Sequence, residues 1–156
     1  MTGRAIFLTH ADVVVDPDVP VPDWPLNPTG RERHAVFASD PVLQNAKAIF
    51  SSDERKAKDA AKITASALGL DVQVFSDLGE NDRSATGYLP EADFWPVVDA
   101  FFGEPERLVR GWERAADAQA RIVAVTRKIC ATDTEGDPLI VSHGGVATLL
   151  RCHLLG

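Results

Sequence analysis

The stretches Ala5–His10 (AIFLTH) and Pro138–His143 (PLIVSH) repeat one pattern, a short apolar run that ends in a histidine, and the second continues into Gly144-Gly145. A continuous apolar run of this kind is typical of a strand buried on both faces of a parallel sheet. Ligands of open α/β sheets bind at the carboxyl ends of such strands. If the two strands are neighbours, His10 and His143 converge on one site.

The two histidines favour phosphoryl chemistry over a structural role. One histidine just past a strand is more often a loop or partly buried residue than a catalyst, but two in equivalent positions are harder to explain that way. A neutral imidazole attacks electrophilic phosphorus and can form a covalent intermediate. Such a site needs cations or N–H groups for the phosphoryl oxygens and an acid for the leaving group.

Composition predicts one globular domain over residues 1–156. The chain is 45% hydrophobic and 25% charged, which suits a single packed core. Its net charge of −7 repels nucleic acid and anionic membranes, so an anionic ligand depends on a local basic pocket. We therefore expect no nucleic acid and no membrane as partners. The oligomeric state is left open.

Cysteine and histidine usage predicts neither a disulfide nor a metal site. Cys130 and Cys152 lack CxxC spacing, and the four histidines are too far apart for a zinc pattern. No cofactor is expected. The N-terminal apolar stretch is too short for a signal peptide, and no later run is long enough to span a membrane, so a cytoplasmic protein is expected.

Strand-like and helix-like segments alternate along the chain. Besides the two strands that end in His10 and His143, strands are predicted at Lys47–Ser51 and Val72–Phe75. Helices are predicted from Thr29 to about Ala38, from Ser52 or Asp53 to Gly69, around Phe94–Phe102, from about Trp112 to Cys130 and from about Val146. The order predicts a three-layer α/β/α sandwich with a mostly parallel sheet.

Several boundaries rest on local signals. Thr29 and Glu32 fit a capping box, and Ser52 or Asp53 is the expected cap of the next helix. Pro96 is expected in the first turn of its helix. Five prolines make Val13–Pro28 a stiff loop over the carboxyl edge of the sheet, and Thr132–Asp137 is a second loop.

The other parts of a phosphoryl site occur at the same predicted sheet edge. Arg55 and Lys56 lie in the first turn of a helix, where cations oppose the helix dipole unless an anion binds. A solvated basic pair is the ordinary alternative. Glu80 follows the third strand as a proton donor or a turn residue. Gly144-Gly145 permits close backbone approach and is followed by free N–H groups at a helix start.

These motifs resemble the histidine phosphatase superfamily, also called the phosphoglycerate mutase-like family, over nearly the whole chain. Thr9-His10-Ala11 stands at the family's Arg-His-Gly, and Ser51–Ala61 is similar to its Ser-Ser-Pro-Leu-x-Arg-Ala-x-x-Thr-Ala. Glu80 matches its acidic residue, and Val141–Gly145 its second-histidine motif. Trp24–Leu26, with Gly30 four residues on, resembles its approach to the first helix.

The resemblance implies a role for each residue. His10 would attack the phosphoryl group, Glu80 would protonate the leaving oxygen, and His143 would contact the phosphoryl oxygens. Water would then hydrolyse phospho-His10, and no metal is required. The expected phosphate-binding residues are Thr9, Arg55, Lys56 and Gly144.

Three residues depart from the family pattern. Thr9 and Lys56 replace arginines, and Ala11 replaces a glycine. Arginine binds phosphate with a planar fork that neither lysine nor threonine reproduces, so a weaker phosphate pocket is expected. Arg55, Arg31 and Arg83 are the available substitutes. Family members usually continue into a further strand and helix beyond the position of Gly156. Either a longer chain or a shortened version with an exposed sheet edge is therefore expected.

Two function classes follow. One is a phosphohydrolase acting on a small phosphomonoester or a phosphoprotein through phospho-His10. The other is a catalytically weakened or inactive relative that binds a phosphorylated ligand in a regulatory role, as Thr9 and Lys56 suggest. A mutase is disfavoured because it needs a richly cationic pocket. The loop Val13–Pro28, with Tyr88, Phe94 and Trp95, is expected to shape the entrance, although ordinary packing explains these aromatics equally well.

Overall fold

The computed structural model describes residues 4–132 and 134–156, and across them the chain forms four strands and five α-helices. The strands are β1 (Ile6–Thr9), β2 (Ala46–Ser51), β3 (Val72–Val74) and β4 (Asp137–Ser142). The helices are α1 (Pro28–Phe37), α2 (Arg55–Leu68), α3 (Glu91–Gly103), α4 (Ala115–Cys130) and α5 (Gly144–Leu155).

The four strands make one parallel sheet in the order β1-β4-β2-β3. Phe7 aligns with Ile140 on one side of β4, and Phe50 aligns with Ile140 on the other. Every residue of β4 is buried because the strand has a neighbour on each side and helices on each face. The predicted parallel sheet is confirmed, and the two histidine-ending strands are neighbours.

Side chains of β4 alternate between two apolar clusters, one on each face of the sheet. Leu139 and Val141 pack in the cluster beneath α1 and α2, with Ala57 and Ala61 of α2. Ile140 packs in the opposite cluster with residues of α3, α4 and α5. This alternation is what a period of two residues dictates in a strand covered on both faces. The predicted three-layer α/β/α sandwich is confirmed.

The first helix begins with a different cap from the predicted one. The Asn27 side chain accepts a hydrogen bond from the Gly30 N–H at 2.8 Å, and Pro28 is the first helical residue. The predicted capping box of Thr29 and Glu32 is wrong. Proline suits the first helical position because it has no N–H to satisfy and its φ is already helical, which moves the start to Pro28.

Other helix starts are shifted by a few residues. The cap of α2 is Glu54 rather than Ser52 or Asp53, although the Ser52 hydroxyl accepts the Glu54 N–H at 3.1 Å. Pro96 lies in the second turn of α3 instead of the first, because the helix begins at Glu91. The α4 helix starts at Ala115 rather than near 112, and α5 starts at Gly144 rather than near 146. Gly69, with φ of 67°, ends α2 as predicted.

The proline-rich segment is an ordered loop that packs on the sheet edge. Val13 and Leu26 form an isolated antiparallel bridge, and residues Val21–Asp23 form a short 3₁₀ turn. The Trp24 indole is buried and donates to the carbonyls of Asp16 and Val19 at 2.9 and 3.0 Å. These bonds fix a loop that contains no long helix or strand.

The loop between residues 132 and 137 agrees with its prediction in the described part. Asp137 opens β4 instead of ending the loop, and Asp133 lies outside the described residues. Both cysteines, Cys130 and Cys152, are exposed free thiols. In residues 4–132 and 134–156, no helix is long and apolar enough to cross a membrane.

Candidate active site

The ends of β1 and β4 bring the two predicted histidines together. Thr9 aligns with Ser142, and the His10 N–H donates to the Ser142 carbonyl at 3.1 Å. The centres of the His10 and His143 rings are 5.2 Å apart, with the rings inclined at 66°. The predicted convergence at the carboxyl edge of the sheet is confirmed.

His10 presents one nitrogen to the protein and keeps the other free. Its Nδ1 lies 2.9 Å from the Ala11 carbonyl, which can only accept, so Nδ1 carries the proton. Burial lowers the pKa of His10, against the Ala11 carbonyl bond, which raises it. The ring is therefore neutral at pH 7, and its Nε2 lone pair makes no hydrogen bond within the described part of the chain. This is the protonation state that a nucleophilic imidazole requires.

A third histidine, His34 on α1, holds the backbone that follows His10. Its Nε2 accepts the Ala11 N–H at 2.9 Å, so both polar groups of Ala11 bond to histidine rings. Burial lowers the pKa of His34, and the charge of Arg33 acts in the same direction. An open cleft of about 740 Å³ is lined by Thr9, His10, Arg33, His34 and neighbouring residues. His34 was not predicted, although its place one turn after Gly30, on the buried face of α1, was a usable signal.

His143 is fully buried. Its Nε2 lies 2.8 Å from the Ser52 hydroxyl and 3.6 Å from the Glu54 carboxylate. Burial lowers the pKa of His143 to about 3, although the charge of Glu54 raises it. The ring is therefore neutral and contributes no positive charge at pH 7. Because His143 is also the N-cap of α5, its position is fixed by the start of that helix.

Lys56 points into the site, but two protein groups already contact its ammonium. Its Nζ lies 2.6 Å from Glu54 Oε2 and donates to the Val21 carbonyl of the proline-rich loop at 2.8 Å. The lysine is only 3% exposed. This loop contact places Val13–Pro28 over the sheet edge, as predicted. In this conformation, Lys56 is closed off from solvent.

Glu54 is the main residue that the sequence prediction missed. Its Oε1 accepts the Glu80 N–H at 2.9 Å, and its Oε2 neutralises Lys56. Burial alone raises the pKa of Glu54, but the Lys56 ammonium and the Glu80 N–H outweigh it, and the net shift is downward. Glu54 stands where the family pattern has leucine. A carboxylate at that position, two residues before the lysine that replaces arginine, was the available signal.

Glu80 lies across the N-terminus of α5. Its Oε2 accepts the Gly145 N–H and its Oε1 accepts the Val146 N–H, both at 2.9 Å, and the Asn81 N–H adds a third bond at 3.1 Å. The prediction left these helix N–H groups free for a ligand, and that part is wrong. A carboxylate is the favoured occupant of a helix N-terminus, and Glu80 supplies one from the same chain.

The two glycines after His143 differ. A Cβ on Gly145 would lie 2.6 Å from Glu80 Oε1, whereas a Cβ on Gly144 would meet nothing within 4 Å. The close backbone approach expected from Gly144-Gly145 therefore occurs at Gly145, and the approaching group is Glu80. Gly144 is exposed.

The remaining predicted cations fall into different surroundings. Arg55 is exposed and lines neither of the two cavities beside the histidine pair. Arg31 is paired with Asp59 at 2.9 Å. Arg83 lines a cavity of about 780 Å³ together with Glu54 and Glu80, and its charge helps to lower the pKa of His143. Arg83 is thus the substitute that the fold brings nearest to the site.

The described residues were compared with the side-chain groups that bind metal ions. Within the described ranges 4–132 and 134–156, no three or more His, Cys, Asp or Glu side chains are arranged to hold a metal ion.

Fold and site define a three-layer α/β protein with a two-histidine centre at the carboxyl edge of a parallel sheet. The sequence pattern of the histidine phosphatase superfamily (branch 1) matches residues 19–156. The chain belongs to this superfamily, which confirms the resemblance found in its motifs. No curated protein matches the sequence closely enough to count as a relative.

Solved structures of similar fold cover almost the entire chain. A mycobacterial glucosyl-3-phosphoglycerate phosphatase matches with a TM-score of 0.80 and 22% identity, over 97% of this chain and 78% of that one. A phosphoglycerate mutase from Bacillus anthracis str. Sterne matches with 0.79 and 20%, over 96% and 78%. Bacillus stearothermophilus YhfR matches with 0.77 and 21%, over 96% and 78%. These likenesses establish the phosphoglycerate mutase-like fold.

Proposed function

We propose that this chain is a phosphohydrolase of the histidine phosphatase type, which removes the phosphoryl group from a small phosphomonoester or a phosphoprotein. Membership of the superfamily supports phosphatase-type chemistry in general. The observation that carries the specific proposal is the state of His10, a neutral ring whose Nδ1–H is held by the Ala11 carbonyl and whose Nε2 is unbonded.

The reaction has two balanced steps. In the first, His10 Nε2 forms a bond to phosphorus while the bond from phosphorus to the leaving oxygen breaks, and that oxygen takes a proton. In the second, water attacks phospho-His10 and passes one proton to the group that protonated the leaving oxygen, the P–N bond breaks, and phosphate leaves with His10 restored. Most of the rate enhancement in such transfers comes from positioning and from charges that match the phosphoryl oxygens.

Glu80 is the proposed donor of the leaving-group proton. Its place next to the histidine pair supports the role, while its three N–H bonds favour the ionised carboxylate and oppose it. Substrates with different leaving groups distinguish a proton donor from a residue that only caps α5. If Glu80 donates a proton, Glu80→Gln slows hydrolysis of an alkyl phosphate much more than that of 4-nitrophenyl phosphate, whose alcohol leaves without protonation. If Glu80 only caps α5, both rates fall equally.

Thr9, Lys56, Gly144 and His143 are the proposed phosphate contacts. Glu54 and the Val21 carbonyl use two of the three N–H groups of the Lys56 ammonium, and the third remains for a phosphoryl oxygen once the loop that carries Val21 admits the substrate. Arg55 is not carried into the proposal because it lines neither of the two cavities beside the histidine pair. Arg83 takes its place as the second cation near the site.

A second candidate function is a regulatory module that binds a phosphorylated ligand without turnover. The specific observation in its favour is the Glu54 carboxylate, which neutralises Lys56 inside the site. In this case phosphate or vanadate binds, but no phosphomonoester is hydrolysed.

The test compares the wild-type protein with His10→Ala on 4-nitrophenyl phosphate. We expect His10→Ala to lower kcat by about 10³-fold or more, because the nucleophile is lost. Hydrolysis that survives in His10→Ala contradicts the assignment. Vanadate binding without hydrolysis by the wild type favours the binding module. Thr9→Arg serves as the partner variant, since a restored arginine is expected to raise the rate if the weak phosphate pocket limits it.

A further inference from the structure

An aromatic cavity lies beside the candidate active site, between the proline-rich loop and the start of α3. Its volume is about 350 Å³, within the range of small-ligand pockets. Its walls are largely aromatic and apolar, with one cation, Arg83, and one carboxylate, Glu91, which accepts the Trp95 indole N–H at 3.4 Å. The lining includes Trp24, Tyr88, Phe94, Trp95 and Arg83.

This aromatic cavity adjoins both cavities beside the histidine pair, since its Val15 also lines the cleft of about 740 Å³ that contains His10. It shares Val21, Arg83 and Gly87 with the cavity of about 780 Å³ that Glu54 and Glu80 line. The shared Val21 is the residue whose carbonyl contacts Lys56. A molecule with its phosphoryl group near the histidines can therefore extend its alcohol portion into the aromatic cavity.

Arg83 lines both of these cavities. Its guanidinium carbon lies 5.5 Å from the centre of the Phe94 ring and 5.7 Å from that of Trp112. It forms no ion pair with any residue in the described part of the chain. Stacked on these rings, a guanidinium is held in place while its N–H groups remain available to an anion.

The aromatic walls are fixed in place and partly uncovered. Both Trp24 N–H bonds go to carbonyls of the loop, and the Trp24 and Tyr88 rings lie 6.0 Å apart. Trp95 is 54% exposed and Tyr88 is 37% exposed. Covering these faces with an apolar ring gains free energy from burial and from ring pairing.

We propose that this cavity binds an aromatic ring in the alcohol portion of the substrate, with Arg83 contacting the phosphoryl group. The substrate class is then a small phosphomonoester whose alcohol carries one aromatic ring. The inference rests on the proposed phosphohydrolase function and narrows it. The phosphoryl group meets the histidines, and the ring packs against Trp95 and Tyr88.

The test compares benzyl phosphate with ethyl phosphate. Both release an alkyl alcohol, so their intrinsic reactivities are similar, and the ring is the main difference. We expect kcat/KM to favour benzyl phosphate at least tenfold in the wild type. Trp95→Ala, at an exposed position that tolerates truncation, is expected to reduce this preference about tenfold, a ring-pairing effect of about 1.4 kcal/mol. Leu108→Ala, at another exposed apolar residue outside the cavity, is expected to leave it unchanged.

A binding measurement separates this inference from the proposed function. Benzylphosphonate and methylphosphonate resist hydrolysis, and their affinities are measured by calorimetry on the wild type, Trp95→Ala and Arg83→Gln. Tighter binding of benzylphosphonate that is lost in Trp95→Ala supports the cavity even if no ester is hydrolysed. Arg83→Gln is expected to weaken both phosphonates about tenfold. Hydrolysis without any benzyl preference, or equal phosphonate affinities, overturns the inference while leaving the phosphohydrolase intact.

Discussion

The ends of β1 and β4 share one local sequence pattern, yet their histidines are in different environments. His10 ends an edge strand, is partly buried and has an unbonded Nε2. His143 ends the strand between β1 and β2, has no exposed surface and has its Nε2 on the Ser52 hydroxyl. The strand order accounts for the difference, because the end of β4 is flanked by the ends of two strands and that of β1 by only one. Position in the sheet, rather than the repeated motif, separates the accessible histidine from the enclosed one.

Truncation is expected to give the largest difference between the two strand ends. His143→Ala removes a fully buried ring and one of the two hydrogen bonds of the Ser52 hydroxyl, so the free energy of unfolding should fall by about 2–4 kcal/mol. His10→Ala removes a partly exposed ring and should cost about 1 kcal/mol or less. Urea unfolding at pH 7.5 measures both. An equal or larger loss at His10 contradicts the contrast in burial.

The dependence of stability on pH should separate the histidines next. In the unfolded chain a histidine titrates near 6.5, whereas folding lowers the pKa of His143 to about 3. Between these values the unfolded state binds one more proton, so stability is lost as pH falls below about 6.5, by about 1.4 kcal/mol per pH unit. His143→Gln should remove that slope between pH 6 and about pH 4.5. His10→Gln should also remove part of the dependence of stability on pH. That part should extend less far below pH 6.5, because His10 is only partly buried and its pKa is lowered less than that of His143. Identical slopes in wild type and His143→Gln count against the buried neutral ring.

The glycines after His143 offer a matched pair with a smaller effect. Gly145→Ala forces Glu80 away from the α5 N-terminus and should lower the free energy of unfolding by about 1–2 kcal/mol. Gly144→Ala meets no neighbour and should be neutral or stabilising by up to about 1 kcal/mol, since alanine favours a helix. Thermal and urea unfolding compare the two variants. If both behave alike, the Glu80 carboxylate does not hold the start of α5.

The sequence predicted the layers and the meeting of the histidines because both follow from local patterns. The alternation of residues in β4 and the alanine face of α2 determine which sides are buried, and the parallel order brings the strand ends to one edge. The parallel order of the strands also predicted that Glu80 and Lys56 lie at this edge. The predicted helix starts differed from the observed ones by a few residues where two possible capping residues are close together, as at Asn27 and Thr29.

The contacts of the charged residues were beyond prediction because they depend on distant parts of the chain. Glu80 bonds to N–H groups about 65 residues later, and Lys56 bonds to a carbonyl 35 residues earlier. In the sequence, Glu54 is one of several polar residues at the start of a predicted helix. Only the fold shows that it faces His143 and Lys56. Such burial of a carboxylate is tolerated where partners neutralise it, and no local pattern reveals those partners.

The most direct test of the account is to trap a phosphoryl group on the protein. The wild type, His10→Asn and His143→Asn are mixed with ³²P-labelled phenyl phosphate and quenched in alkali, where phosphohistidine survives, and the labelled peptide is identified by mass spectrometry. We expect label on His10 in the wild type, no label in His10→Asn, and label still on His10 in His143→Asn. Label on His143, or label that persists in His10→Asn, would contradict the distinction between the two strand ends.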